Sequence, residues 1–377
     1  MSGRVVTLEQ LRRYAVARSL FAPTTLKRAI GKLGFVQADP IRAPARAQDL
    51  MLRHRVKDYR AGELERRYSK LELEEGFFVN YGFLPRKHYA NMHPRVVRES
   101  RVEWNASQRK RAAQVLELIG EQGPVHPREV VARLGDGSVR NNWGGVSNAT
   151  THLLQAMHYR GLLRVVRRDN GIRVYAEPLH PHAPPDDPRV RDQRLDALVD
   201  VFVDTYAPLP AQTLMWLVRR LRYGAPQWAK QLTPTLARAR ERLEHARLDG
   251  VDWYWPADER PSSSRFTVDE RVRLLSPFDP VVWDRRRFEL FWGWTYRFEA
   301  YTPAARRKLG YYALPLLWRD QVIGWGNASV KDGRFSCQLG FVNERPRDVS
   351  FEQELAAELA RMEAFLGACT IRAAMSR

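Results

Sequence analysis

Gln37-Ala38-Asp39 is the segment of this 377-residue chain best equipped for chemistry. It lies in LGFVQADPI, an apolar, β-prone stretch broken by Pro40. In an extended strand, residues two apart point the same way, so Gln37 and Asp39 would present an amide and a carboxylate to one side. Such a pair can hold one water. The carboxylate accepts its proton or its hydrogen bond, and the amide orients it. Phe35, Val36, Pro40 and Ile41 would keep the pair dry and fixed. A plainer reading uses the same residues: a polar pair ending a strand, with Asp39 as a turn or helix cap before Pro40. On the Gln-x-Asp spacing alone the plainer reading is the better one.

The elements around this pair are legible in outline. Residues 7–34 read as two helices, the first capped by Thr7, the second opened by Pro23-Thr24-Thr25 and ended by Gly34. Residues 35–41 read as extended and 42–56 as a third helix. Between 108 and 176 three helical patterns with glycine stops precede two β-prone runs around Asp169-Asn170-Gly171, a strong hairpin signal. Three helices and a hairpin is the order of a winged helix, which would place its third helix in the major groove. Residues 180–188 and 256–264 read as Pro-rich and Ser-rich linkers, and 190–250 repeat the helices-then-strand pattern. From Val272 onward short β-prone runs suggest a barrel-like sheet, closed by an amphipathic helix over 351–367. The predicted class is therefore α+β: tandem winged-helix (helix-turn-helix) motifs followed by a C-terminal β-barrel-like module and a closing helix. Predicted domains are 1–105 with the Gln-Ala-Asp motif, 106–179, 189–256 and 265–377.

Composition narrows the partners. The net charge is +19, and 53 of the 62 basic residues are arginine. Arginine forks onto phosphate and stacks on bases, so the balance leans towards nucleic acid. GC-rich codon usage would also raise arginine, but it explains the net charge less easily. Two cysteines, Cys337 and Cys369, in no C-x-x-C or Cys/His spacing, exclude a disulfide framework and a zinc finger. The N-terminal residues have no apolar run of signal-peptide length, and no stretch approaches the ~18 apolar residues of a membrane span. The expected location is cytoplasmic and nucleoid-associated. No phosphate-binding loop, dinucleotide fingerprint or metal spacing is present, so no cofactor is expected.

Several strings, in order along nearly the whole chain, carry a resemblance. They are LGFVQADPI, FLPRKHY at 83–89, RGLLRVVRRDNGIRVYA at 160–176, LLSPFDPVVWDRRR at 274–287 and YRFEAYTPAARRKLGYYALPLL at 296–317. With these motifs the chain resembles the winged-helix DNA glycosylases of interstrand-crosslink repair, the AlkZ/YcaQ type. That family carries a Gln-aliphatic-Gln or Gln-aliphatic-Asp catalytic motif, and Gln37-Ala38-Asp39 stands in its place. Many relatives have a Trp-Ala-His-Glu-Ala-like string before FLP; here FFVNYGFLP places Asn80, Tyr81 and Gly82 there. GWGNASVKDG also replaces a more charged segment, and Ala38 is smaller than the usual aliphatic residue. The resemblance implies hydrolysis of the N-glycosidic bond of N7-alkylguanine, and unhooking of crosslinks. An alkylated N7 makes the base a cationic leaving group that needs no strong acid, and the transition state resembles an oxocarbenium ion. Asp39 would stabilise it and activate water, and Gln37 would position that water. The motif holds no lysine nucleophile, which implies a monofunctional enzyme. Its partner would be double-stranded DNA with alkylated or crosslinked purines, bound by a monomer.

Candidate DNA contacts are Arg42, Arg46, Arg53 and Arg55 after the motif. Arg140, Asn141, Asn148 and His152 lie near the third helix of the second module, and Arg167, Arg168 and Arg173 on its hairpin. Arg285, Arg286, Arg287, Arg306, Arg307 and Lys308 cluster in the last module. Phosphate binding sums over such contacts, although any single one reads better as an ordinary solvated charge. His54 and His88 are conceivable site histidines but read better as structural. Trp283, Trp292 and Trp294 could stack on a base, but read better as core. Two rival functions remain: a winged-helix regulator, and a lesion sensor that binds altered duplex without cutting it.

Overall fold

In the computed structural model, residues 6–96, 104–135, 137–140, 146–180, 187–367 and 369–370 are described. The first elements are helices α1 (Leu8–Ser19) and α2 (Leu26–Leu33), strand β1 (Val36–Gln37) and helix α3 (Ala47–Leu52). Helix α4 (Glu63–Arg67), strands β2 (Leu73–Phe77) and β3 (Tyr81–Pro85), and helix α5 (Arg86–Ala90) follow. Next come α6 (Ala106–Gln122), α7 (Pro127–Leu134), β4 (Ser138–Arg140), β5 (Val146–Asn148), α8 (Ala149–Tyr159), β6 (Arg164–Asp169) and β7 (Ile172–Ala176). A third run holds α9 (Pro188–Tyr206), β8 (Leu209–Pro210), α10 (Ala211–Gly224), α11 (Leu232–Arg242), β9 (Glu244–Leu248) and β10 (Val251–Trp255). The last contains β11 (Val272–Leu274), α12 (Arg285–Trp292), β12 (Leu314–Trp318), β13 (Gln321–Lys331), β14 (Arg334–Phe341), α13 (Val349–Leu366) and β15 (Cys369–Thr370). Among the described residues no helix is long and apolar enough to cross a membrane.

The chain divides into two compact units. One comprises Met1–Glu63, Phe202–Met215 and Arg240–Arg377; the other comprises Leu64–Val201 and Trp216–Ala239. The first unit carries the Gln-Ala-Asp segment. Its C-terminal sheet runs β11-β12-β13-β14-β15, antiparallel except for the parallel β14–β15 pair. Among the described residues β11 and β15 are its edges, which fits a curled half-barrel. Helix α13 braces β11: Leu274 N donates to Glu358 Oε1 at 2.8 Å, and Arg361 Nη2 donates to the Val272 carbonyl at 3.1 Å. Val16, Leu275, Val281, Val282, Phe288, Tyr296, Leu317 and Val322 form a dry core in this unit, with Trp292 and Trp294 packed against it. The core reading of those two tryptophans agrees with this packing.

Local signals explain many boundaries. Thr7 and Gln10 form a reciprocal capping box on α1, with bonds of 3.2 and 3.1 Å. Asn170 and Gly171 both have positive φ, 51° and 87°, as a two-residue turn between β6 and β7 requires. The second unit shows the expected three helices and hairpin, α6, α7, α8 and β6–β7, with the short β4–β5 pair added before α8. Two expectations fail in the first unit. The helix predicted over 42–56 is confined to Ala47–Leu52, because Pro40 and Pro44 keep the preceding residues out of helical conformation. The run after Trp283, expected in a β-rich context, contains α12, capped by Asp284, whose carboxylate accepts from the backbone of Arg286 and Arg287 at 3.1 and 3.2 Å.

Candidate active site

Gln37 ends β1 and Asp39 lies just beyond it, so the extended segment is shorter than the sequence suggests. Gln37 is buried, and its Oε1 accepts from the Trp283 indole Nε1 at 3.1 Å. An indole N–H can only donate, so this bond fixes the amide's orientation and turns its two-donor nitrogen to the other side. The Trp283 ring is itself held by stacking on Tyr206, with centroids 4.6 Å apart and planes 26° apart. Trp283 is therefore neither a free stacking platform nor plain core; it is a clamp on Gln37, 246 positions away in sequence.

Asp39 is half-buried. Its Oδ1 accepts from Ile41 N at 2.9 Å, closing a turn over Pro40, and its own N–H reaches Oε1 of the buried Gln48 at 3.4 Å. The turn-capping reading thus accounts for one carboxylate oxygen. Among the described residues Oδ2 has no hydrogen-bond partner and no cation pairs with the group. Burial raises the Asp39 pKa above its ordinary value, and the Ile41 amide offsets part of that shift. The charge of Asp39 is felt by two phenols. Tyr312, buried, and Tyr301, exposed, are both raised first by burial and then by Asp39.

The SPFD and WDRRR strings build the scaffold behind this site. Arg55 is fully buried and forks onto Asp279 at 2.7 and 2.9 Å, with further bonds to the Met51 and Ser19 carbonyls. Arg287 is also fully buried, and donates to the carbonyls of Tyr206 and Pro280. Asp284 accepts from Thr213 Oγ1 at 2.5 Å. Thr205 Oγ1 donates to the Leu33 carbonyl at 2.6 Å, just before the segment that carries Gln37. These bonds hold Trp283 and β1 in place.

The same geometry corrects the list of DNA contacts. Arg55 and Arg287 are inside: Arg55 spends its Nε and both Nη groups on protein acceptors, and Arg287 gives both Nη groups to backbone carbonyls. Arg53 pairs with Glu358 and donates to the Leu274 carbonyl at 3.0 Å, with its side chain almost wholly buried. Arg285 donates to the Val282 and Pro277 carbonyls at 2.6 and 2.8 Å and lies over the Tyr296 ring. Arg168 and Arg173 bind buried Glu75 at 2.9 and 3.0 Å. Asn148 caps α8, accepting from Thr151 N at 3.0 Å. Burial withdraws Arg53, Arg55 and Arg287 from a phosphate, and Arg168, Arg173, Arg285 and Asn148 already make bonds within the protein. Arg42, His152, Arg167, Arg286 and Arg306 are exposed, and Arg46 and Arg307 are half-buried. Arg286 contacts Gln212, Arg167 pairs with its neighbour Asp169, and Arg307 donates to the Thr302 carbonyl at 2.8 Å. The side chain of Arg140, and Asn141, lie outside the described residues.

His54 bonds the Leu274 carbonyl at 3.0 Å, and burial holds it well below its ordinary pKa, so it is a neutral structural group. Burial also lowers half-buried His88. Among the described residues no three His, Cys, Asp or Glu side chains are grouped to hold a metal ion. Gln48, Tyr301 and Tyr312 escaped the sequence reading. Only the YTPA-to-GYY string pointed towards the last two.

A family model described as DNA glycosylase AlkZ-like matches residues 30–365. The DNA glycosylase AlkZ of Streptomyces sahachiroi has a similar fold, with a TM-score of 0.63 over 99% of this chain and 100% of that one, at 14% sequence identity.

Proposed function

Because the chain belongs to the AlkZ-like DNA glycosylase family, hydrolases acting on N-glycosyl bonds, we propose that Asp39 and Gln37 cleave the bond between deoxyribose and an N7-alkylated guanine. The observation that carries this reading is the state of the pair. Asp39 keeps one carboxylate oxygen uncommitted in a half-buried setting, and Gln37 is oriented by the Trp283 indole. A carboxylate with a raised pKa and no paired cation is suited to take a proton, and its charge favours positive charge growing on the sugar.

The alkylated base is already a cation. As the C1′–N9 bond breaks, its electron pair moves into the purine and neutralises it. Positive charge builds on the sugar, beside Asp39. A water oriented by the Gln37 amide adds its oxygen to C1′ and gives a proton to Asp39 Oδ2. The products are a neutral alkylguanine and an abasic deoxyribose. Without a lysine at the motif no Schiff base forms, and the enzyme is monofunctional. The same chemistry on a linked guanine unhooks an interstrand crosslink. The partner is double-stranded DNA bearing such purines, bound by a monomer in the cytoplasm at the nucleoid. Helix α8, with exposed His152, would approach the major groove, and Arg167 on the β6–β7 hairpin would approach the backbone, as in a winged helix.

The test is incubation of the purified protein with duplex DNA carrying 7-methylguanine, and separately with an N7-linked crosslink. Free 7-methylguanine and an intact abasic strand are expected, identified by mass. Strand cleavage at the lesion without added base would refute monofunctional action. No base released from either duplex would refute the reading.

A further inference from the structure

We propose that Tyr301 is a recognition residue of this site, offering its ring to the positively charged purine so that a cationic base is bound in preference to a neutral one. The inference rests on the glycosylase reading above and names the feature of the substrate that is recognised.

The loop carrying Tyr301 is built to be rigid. Glu299 is buried, and its Oε2 accepts from the backbone N–H groups of Lys308, Leu309 and Gly310 at 2.9, 2.7 and 3.3 Å. Asn327, on β13, donates to the Leu309 carbonyl at 2.8 Å. Gly310 has φ +117°, and a Cβ there would lie 2.3 Å from Asn327 Oδ1, so this closure needs glycine. Arg307 Nε ties back to the Thr302 carbonyl at 2.8 Å. The loop between residues 299 and 310 is thus clamped at both ends and across its middle.

At the outer side of this clamped loop Tyr301 is 73% exposed, the most exposed large aromatic among the described residues. Its ring stands edge-on to Phe298, with centroids 6.0 Å apart, and Phe298 stands edge-on to both Phe278 and Tyr312 at 5.2 and 5.1 Å. An aromatic row therefore leads from the protein interior to one solvent-facing ring. Asp39 is close enough for its charge to raise the Tyr301 and Tyr312 phenols, after burial, so both rings stay neutral. A carboxylate beside neutral aromatic faces is a combination that attracts cations, and a ring on a stiff loop loses little freedom on binding. An N7-alkylated guanine is such a cation, and an unmodified or ring-opened guanine is not.

The test uses one duplex in two charge states. It carries 7-methylguanine on a 2′-fluorinated sugar, which resists cleavage. Mild alkali then opens the imidazole ring and removes the charge. Binding of both forms is measured for the wild-type protein, Tyr301→Phe and Tyr301→Ala, with melting temperatures to show that each folds. The wild type and Tyr301→Phe should prefer the cationic duplex, and Tyr301→Ala should shrink that preference about thirtyfold, the scale of a desolvated cation–π contact. An unchanged preference in Tyr301→Ala, with the wild type discriminating, would overturn the role of Tyr301 alone. Loss of preference in Tyr301→Phe would also overturn it, since the hydroxyl and not the ring would then be responsible. Equal binding of both forms by the wild type would instead undercut the cationic-substrate reading itself.

Discussion

Asp39 and Glu75 are both carboxylates withdrawn from water, and their pKa values move in opposite directions. Asp39, in the first unit, has one backbone amide on one oxygen and, among the described residues, no paired cation, and burial raises it. Glu75, in the second unit, is completely buried on β2. Burial pushes it up, but the charges of Arg168 and Arg173 and the bonds from Arg168 and Tyr81 more than offset this and hold it below its ordinary value. Its backbone is engaged too: its N–H donates to Tyr68 Oη at 3.0 Å, and its carbonyl meets His158 Nε2 at 3.0 Å. The pair shows what separates scaffold from site. Glu75 has its valences filled and its charge compensated. Asp39 has neither, and a group left in that state has capacity for a substrate.

The comparison can be broken by exchanging each carboxylate for its neutral amide. Glu75→Gln leaves two guanidiniums around a neutral group, and should cost about 3–5 kcal/mol of stability in chemical denaturation, as breaking a buried pair does. Stability unchanged by this substitution would mean that the cluster is not structural. Because Glu75 is lowered, its contribution is present at neutral pH and is lost as pH falls below about 4.5 through its folded-state value. Glu75→Gln should therefore flatten the acid limb of the stability curve. Asp39 is raised, so its charged form contributes no such stability at neutral pH, and its loss should not lower the melting temperature. Base release, by contrast, should decline as pH falls through a value above the ordinary Asp pKa of about 3.9, because the working form is the carboxylate. A rate that rises on acidification would contradict the base role.

The smallest expected effect concerns the clamp. Trp283→Phe keeps a ring for stacking on Tyr206 but removes the donor to Gln37. One lost hydrogen bond of about 1 kcal/mol predicts a roughly fivefold slower release, with folding intact. A rate equal to wild type in single-turnover measurement would show that the Gln37 orientation does not depend on the indole.

Local features were readable from the sequence because their causes are local. The Thr7 cap, the Asn170-Gly171 hairpin and the closing helix α13 each depend on a few neighbouring residues. The Gln37-Ala38-Asp39 segment was also visible, although whether it was a turn or a site was not. What could not be read depends on distant partners. Arg55 meets Asp279 across 224 positions, and Trp283 meets Gln37 across 246. Without those partners an arginine run such as Arg285-Arg286-Arg287 looks like a phosphate-binding patch. Its first and third members are in fact inner struts around the start of α12. The two compact units are likewise assembled from separated stretches of chain, which no local periodicity reveals.

The most direct test of the central claim is single-turnover release of 7-methylguanine by Asp39→Asn beside the wild type, with duplex binding and melting temperature measured on both. The account predicts release slowed by about 10²–10⁴-fold, with binding and folding retained. Release at the wild-type rate from the folded variant would contradict it and move the chemistry away from Asp39.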